Sequence, residues 1–431
     1  MLKDFIAARA QLATFILFVL TIYFIEQFLD TKKKRYVIGL ILIPILIANL
    51  HVAVFPFYFV LYVPYIFEYM IYILSYYTVV VNEAKIKSLN KKLNIIKEDE
   101  KLANIKEKIS KLEKENERII ARKEKRAKNP YKLTISYNNN VKPLIIIMII
   151  CLLTGFITPL GTTPYTYLVK TMMGNTTKNI SEHLPLVLIN NSNYMCVLAI
   201  FILILAFTDT KIRLCDLFML MGLTLLAFAT RRQESMFIII CGFILNRFLC
   251  SLFNKYDASG AQKIEEKMTT FIGMVTTIAI VLTISITTYK PKVDDDFVDE
   301  NTYPVMAADY ILNNLDLNNI KLYNEYNYGS YLLFRGIPVF IDSRADLYSP
   351  EFNEGVDVFT DFLNLSGVNN DEIEETLDKY GITHLIMYKD SKLRTFIKQN
   401  TEKYVEIYGD EPNEIDDHFC IYERKQVNVG K

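Results

Sequence analysis

Two consecutive guanidiniums, Arg231-Arg232, close one apolar run and precede Gln233-Glu234. Charged side chains at the end of a membrane-crossing run are costly and therefore candidates for chemistry. Paired guanidiniums suit the oxygens of a phosphate. Arg9 and Gln11, at the start of the first apolar run, are candidates for the same anionic group. Glu182, in the stretch Glu182-His183-Leu184-Pro185 between two apolar runs, has the side chain of a general base or a metal ligand. Asn49 and His51 end a further run. Each has a plainer reading: the arginines as ion-pair partners of Glu234, Glu182 as a helix cap, His51 as a hydrogen-bonded packing residue. A second set lies near the C-terminus. Asn324, Glu325, Tyr326, Asn327, Tyr328 and Gly329 precede the apolar run Tyr331 to Phe334. Ile337 to Ile341 then reads as a short buried strand, closed by Asp342-Ser343-Arg344-Ala345-Asp346-Leu347-Tyr348. Polar groups at the carboxyl end of a buried strand are where open α/β sheets place ligand contacts. Asn324, Glu325, Tyr328, Asp342, Arg344, Asp346 and Tyr348 thus form a candidate ligand-contact set, in which Tyr326, Tyr328 and Tyr348 could stack on a ring. Asp342, Arg344 and Asp346 could equally make a local ion-pair network that caps the loop.

The elements that must carry these groups follow from composition. The 431 residues have a net charge of +0 that hides an asymmetry. Residues 82–142 hold 18 Lys and Arg against 9 Asp and Glu; residues 293–431 hold 12 against 28. Long apolar runs separate the two. This is the pattern of a polytopic membrane protein with one basic and one acidic side. Eight runs are long enough to span: 12–29, 36–54, 57–81, 143–160, 191–208, 214–230, 235–253 and 269–289. The bias of Lys and Arg places 82–142 in the cytoplasm. Five runs then separate it from 291–431, which puts that region on the outer face of the plasma membrane. The expected organisation is a membrane all-α domain of about eight helices (1–81 and 143–290), a cytoplasmic basic insertion (82–142), and a C-terminal extracytoplasmic small α/β domain (291–431).

Within the insertion, Leu102, Ile105, Ile109, Leu112 and Ile119 keep a 3,4 spacing with Asn116 among them, and Ile86, Leu89, Leu93 and Ile96 repeat it. A helical hairpin over 82–128 is expected, packing on itself or docking a protein partner. Interleaved Glu argues against nucleic acid. The outer domain alternates helices (304–314, 371–380, 392–399) with strands (320–323, 339–341, 383–388, 404–408, 419–423). The six cysteines show no disulfide framework and no CxxC metal site.

The runs YPVMAADYILNN, NEYNYGSYLLFRGIPVFIDSRADLYSPEF and LDKYGITHLIMY resemble the C-terminal region of bacterial polytopic glycosyltransferases of the GT-C type, the mannosyltransferase and oligosaccharyltransferase kind. ARAQL near the start, ANLHVAV at 48–54 and TPLGTTPYTYL with ISEHLP at 158–185 resemble that family's membrane half. The resemblance covers most of the chain apart from the insertion. It implies transfer of a sugar from a polyprenyl-phosphate donor to an acceptor on the outer face, amid membrane lipid, with a divalent metal compatible but not specified. The family's acidic motif belongs in a first external loop before ARAQL, where this sequence has MLKDFIA with Asp4 alone. The span count also places Met1 outside, so further membrane segments upstream are expected. A non-catalytic membrane subunit and a flippase of lipid-linked saccharide are the alternative functions.

Overall fold

The computed structural model describes residues 10–93, 99–127, 133–174, 176–180, 182–187, 191–293, 298–368, 372–411 and 414–425. It is mostly helical and divides into two compact units, one of residues 1–168 and 181–269, the other of 169–180 and 270–431.

In the first unit, α1 (Gln11–Thr31), α2 (Lys34–Leu50), α3 (Phe55–Val60) and α4 (Val63–Ser75) lead into α5 (Tyr77–Leu93) and α6 (Asp99–Ala127). A two-residue strand β1 (Leu133–Thr134) and α7 (Val141–Leu153) follow. Helix α8 (Thr163–Met173) crosses into the second unit, where α9 (Thr176–Asn179) lies. The first unit resumes with α10 (Ser192–Phe207), β2 (Ile212–Arg213), α11 (Leu214–Ala229), α12 (Glu234–Tyr256) and α13 (Ala258–Thr269). Its core draws on α1, α2, α3, α4, α7, α10, α11 and α12, with Phe18, Ile25, Leu40, Ile47, Tyr58, Leu144 and Phe237 buried.

Three segments are long and apolar enough to cross a membrane: Gln11–Thr31, Val52–Ser75 and Arg231–Tyr256. A fourth is reached if Ala258–Thr269 and Phe271–Thr287 count as one span. Eight full-length spans are therefore not shown among the described residues. Val141–Phe156, Tyr194–Phe207 and Leu214–Ala229 stop short. The reasons are local. Thr208 turns its hydroxyl back to the Ile204 carbonyl at 2.6 Å and ends α10, and Thr230 leaves the helical region at the end of α11. Pro64, in the first turn of α4, marks a helix start inside the Val52–Ser75 span without removing it from the long segments.

Helices α5 and α6 pack together as a hairpin. Ile109 is buried in the seam, and the Asn82 Nδ2 donates to Asn116 Oδ1 at 3.0 Å and to Glu115 Oε2 at 3.1 Å. The break between the two apolar sets, Lys97–Lys101, begins outside the described residues. Beyond the hairpin, β1 pairs in parallel with β2. Asn138 and Asn140 both donate to the Leu29 carbonyl, at 3.1 and 2.7 Å, near the end of α1.

The second unit starts with α14 (Phe271–Val293), apolar along most of its length and largely exposed over 271–287. Then come α15 (Val305–Asn314), β3 (Leu322–Tyr323), α16 (Tyr326–Phe334), α17 (Val358–Gly367), α18 (Ile373–Tyr380), β4 (His384–Tyr388), α19 (Lys392–Gln399), β5 (Tyr404–Tyr408), β6 (Asp410–Glu411), β7 (Glu414–Ile415) and β8 (Phe419–Arg424). The main sheet has the order β3-β4-β8-β5, parallel between β3 and β4 and antiparallel elsewhere. Alternation along β4 serves two cores. Leu385 and Met387 face Phe359, Leu377 and Leu393 of α17, α18 and α19, while Ile386 faces Ile311 and Leu332 of α15 and α16. This is a three-layer α/β unit.

The strand expected at 339–341 is not formed. Ile337 and Ile341 are buried, but the Asn324 side chain occupies the place of a pairing strand, accepting from the Phe340 N–H at 2.8 Å and donating to the Ile341 carbonyl at 2.7 Å. Helices α16 and α17 have no counterpart among the expected elements, because α16 is only nine residues long and its polar start reads as loop. Residue 371, at the start of the helix expected at 371–380, lies outside the described residues. All six cysteines are free thiols.

Candidate functional site

Four of the sequence-derived groups meet at one end of the first unit. Thr230 breaks α11, a short turn carries Arg231 to Gln233, and α12 begins at Glu234. The backbone of that turn is fastened to the loop after α9: the Arg231 N–H donates to the Leu184 carbonyl and the Arg232 N–H to the Glu182 carbonyl, both at 3.0 Å. The loop that bears Glu182 is thus held against the arginine pair, and its side chain is exposed. Gln11, at the start of α1, donates to Ser235 Oγ at 3.3 Å, and Ser235 returns a bond to the Arg232 carbonyl at 3.2 Å. His51, at the end of α2, completes the set. Its Nδ1 lies 2.8 Å from Thr14 Oγ1, and its Nε2 lies 3.5 Å from Arg232 Nη2. The Thr14 hydroxyl donates to the Ala10 carbonyl at 3.3 Å, so the network assigns the ring proton to Nδ1 and leaves Nε2 to accept from Arg232.

No carboxylate pairs with either guanidinium among the described residues. Arg231 Nε is moreover buried with no acceptor. A buried guanidinium nitrogen without a partner is uncommon and marks a place for an anion or water. Arg9 lies outside the described residues. Asn49 serves the backbone instead, donating to Ile45 and Ile157 carbonyls at 2.8 and 2.9 Å. Among the described residues no group of three or more His, Cys, Asp and Glu side chains converges to hold a metal ion. No step is therefore assigned to a metal.

The C-terminal set is in the second unit, and much of it holds the fold. Asn324 is fully buried in the contacts given above. Glu325 and Tyr328 form a capping box at the start of α16. Glu325 also accepts from the Tyr388 N–H at 3.1 Å, and the Tyr328 hydroxyl donates to the Ile386 carbonyl at 2.8 Å. Burial pushes the Glu325 carboxyl above its ordinary range. Asp342 is fully buried and takes the Arg344 guanidinium and backbone N–H; the Nε contacts are 3.0 and 3.1 Å. Burial pushes the Asp342 carboxyl up, but the Arg344 and Tyr348 bonds outweigh it and hold the group below its usual value. Arg344, Asp346 and Tyr348 are less enclosed. Asp346 accepts from Thr176 at 3.2 Å, and Lys170 lies over the Phe352 ring at 5.4 Å. With Ile180 packed on the same core, residues 169–180 are built into this unit.

Sequence reasoning passed over a second charged group. Glu26 of α1, Arg213 and Asp216 at the start of α11, and Arg247 of α12 form a closed box. Arg213 bonds Glu26 and Asp216 at 2.8 Å; Arg247 bonds the same two carboxylates at 2.8 to 3.1 Å. Tyr65 adds a bond to Glu26 at 3.1 Å. A cavity of about 110 Å³ adjoins it, lined by Glu26, Asp30, Glu68, Ser136 and Arg213 among others. The available signal was a lone Glu and a lone Arg inside long apolar runs.

No protein-family model and no curated protein matches the chain.

Proposed function

We propose that the protein is a plasma-membrane glycosyltransferase of the GT-C kind, transferring a sugar from a polyprenyl-phosphate donor to an acceptor on the outer face. The observation that carries this reading is the arginine pair, with two guanidiniums at a helix end, no carboxylate partner among the described residues, and a buried Nε lacking an acceptor. Such a site takes the phosphate of the donor and stabilises the negative charge that grows on it as the sugar leaves. Gln11 and His51 fix the second arginine's surroundings, and Glu182, on the adjoining loop, is the base for the acceptor hydroxyl. On this reading the eight apolar runs cross the membrane with the aid of their neighbours, 82–142 is cytoplasmic and 291–431 is outside. Arg344, Asp346 and Tyr348 are the less enclosed members of the ligand-contact set, here an acceptor or sugar-binding set. The α5–α6 hairpin presents a groove edged by Lys85, Lys108 and Lys111 over Leu89 and Leu112, which suits a protein partner.

The test is release of labelled sugar from a polyprenyl-phosphate donor by the reconstituted chain. A charge-assisted bond lost to truncation is about 1.5–3 kcal/mol, so each Arg→Ala change should lower kcat/KM for the donor by roughly 10- to 150-fold. Turnover unchanged in the Arg231→Ala/Arg232→Ala variant removes their phosphate role. Movement of the carrier without cleavage would instead establish a flippase.

A further inference from the structure

The second unit carries an apolar surface separate from every residue used above. Phe334, the last residue of α16, is 85% exposed; Leu333 beside it and Met306 of α15 are exposed too. The Tyr303 and Tyr331 rings meet with centroids 5.5 Å apart. The Arg335 guanidinium lies over the Tyr331 ring at 5.9 Å, donates to its hydroxyl at 2.8 Å, and pairs with Asp309 of α15. The two short helices thus join at a face of tyrosine, phenylalanine, leucine, methionine and one arginine. A large ring in water gains nothing from burial, and such a mixture suits the boundary between lipid headgroups and acyl chains.

Two features of the same unit name what covers this face. First, α14 is apolar along most of its length and exposed over nearly all of 271–287, a surface that lipid satisfies and water does not. Its last residue, Val293, is twelve positions before Val305, the first of α15. Twelve extended residues reach at most about 40 Å, so the globular part stays within that distance of the end of α14. Second, the acidity of the unit lies elsewhere. Residues 305–336 hold 3 carboxylates and 2 cations, whereas 337–425 hold 20 and 9. The α15–α16 face is the one that approaches an anionic surface without strong repulsion.

We infer that α15 and α16 dock on the bilayer surface, with Leu333 and Phe334 inserted at the headgroup–acyl boundary. The inference rests on the membrane reading of α14, not on sugar transfer. The chain contains no Trp, so Phe334→Trp supplies a single fluorophore, and Val405→Trp on β5, the far edge strand, supplies a matched exposed control. Each full-length variant is placed in nanodiscs of phosphatidylcholine with brominated acyl chains, and in unbrominated nanodiscs with aqueous iodide. The expected result is blue-shifted emission at position 334, quenched by bromine and protected from iodide, with the reverse at 405. Quenching of position 334 by iodide but not bromine overturns the inference. Protection from both quenchers also overturns it, because protein would then cover the face.

Discussion

Replacing Asn324 by Ala should detach the segment from Ile337 to Arg344 while leaving the sheet in place. The side chain is fully buried and makes three bonds: to the Ile341 carbonyl at 2.7 Å, from the Phe340 N–H at 2.8 Å, and to the Glu325 carbonyl at 3.0 Å. Truncation orphans the first two groups where no other strand can reach them. A buried group left unpaired costs about 1–3 kcal/mol, so the local penalty for two is about 2–6 kcal/mol. At about 1.4 kcal/mol per tenfold, opening becomes roughly 30- to 20,000-fold more frequent. Amide hydrogen exchange followed by mass spectrometry on the full chain reads this directly in peptides covering 337–345. Gly329 offers an independent perturbation. A Cβ there would stand 2.0 Å from the Ile341 oxygen and 3.0 Å from the Asp342 Cα, so Gly329→Ala must push the same segment away. Exchange at the wild-type rate in both variants refutes the clasp. Equal acceleration in β4 and β8 would refute its local character, since the whole unit would then be opening.

The charged box should show strong coupling: Asp216→Ala leaves two guanidiniums sharing Glu26 alone and costs about 3 kcal/mol, whereas adding Arg247→Ala to it should cost little more. A thermal-unfolding double-mutant cycle in detergent checks this, and simple additivity would contradict a shared network. Two carboxyls of the second unit should act on stability with opposite sign. Burial raises Glu325, so its stabilising contribution is full below the ordinary value of 4.5 and fades as pH rises through the folded value. Glu325→Gln should flatten that slope in a thermal midpoint measured against pH; an unchanged slope shows that another group is responsible. The Arg344 and Tyr348 bonds outweigh burial and lower Asp342, so its contribution is full above 3.8 and is lost as pH falls through the folded value. Protection from exchange in 342–348, corrected for the intrinsic rate at each pH, should therefore fall in acid, and Asp342→Asn should remove that acid dependence.

Much of the second unit was legible because its pattern is local. The strand at 404–408 and the helix at 392–399 are found where alternation and amphipathic spacing place them. The segment from Ile337 to Ile341 has the composition of a strand, yet its partner is a side chain from α16's threshold, which no period reveals. The bland reading of Asp342 and Arg344 as an ion pair describes their geometry, and Asp346 takes a different partner, Thr176, 170 positions earlier in the chain. In the first unit the apolar runs show where helices form but not how long they are, because Thr208, Thr230 and Pro64 end or restart them. The charged box escaped notice because its members are scattered from Glu26 to Arg247, and only the packing of α1, α11 and α12 unites them.

The contrast between the two charged groups bears on which end of the first unit does chemistry. Gln11 and Glu26 lie fifteen residues apart on α1, about 22 Å along a helix. At the Glu26 end, two carboxylates meet two guanidiniums and each guanidinium bonds both, so the charges balance within the box. At the Gln11 end, Arg232 Nη2 faces the His51 ring, Gln11 bonds Ser235, Ser235 bonds the Arg232 backbone carbonyl, and no carboxylate pairs with either guanidinium among the described residues. A balanced box needs no further partner to be stable. On the proposed reading, the arginine pair instead takes an anion brought by a substrate. Converting Gln11 to Glu tests that distinction. A carboxylate at that position adds negative charge beside the turn that carries the arginines and should weaken donor binding. An unchanged affinity for the donor would mean that the arginine pair is not where its phosphate sits.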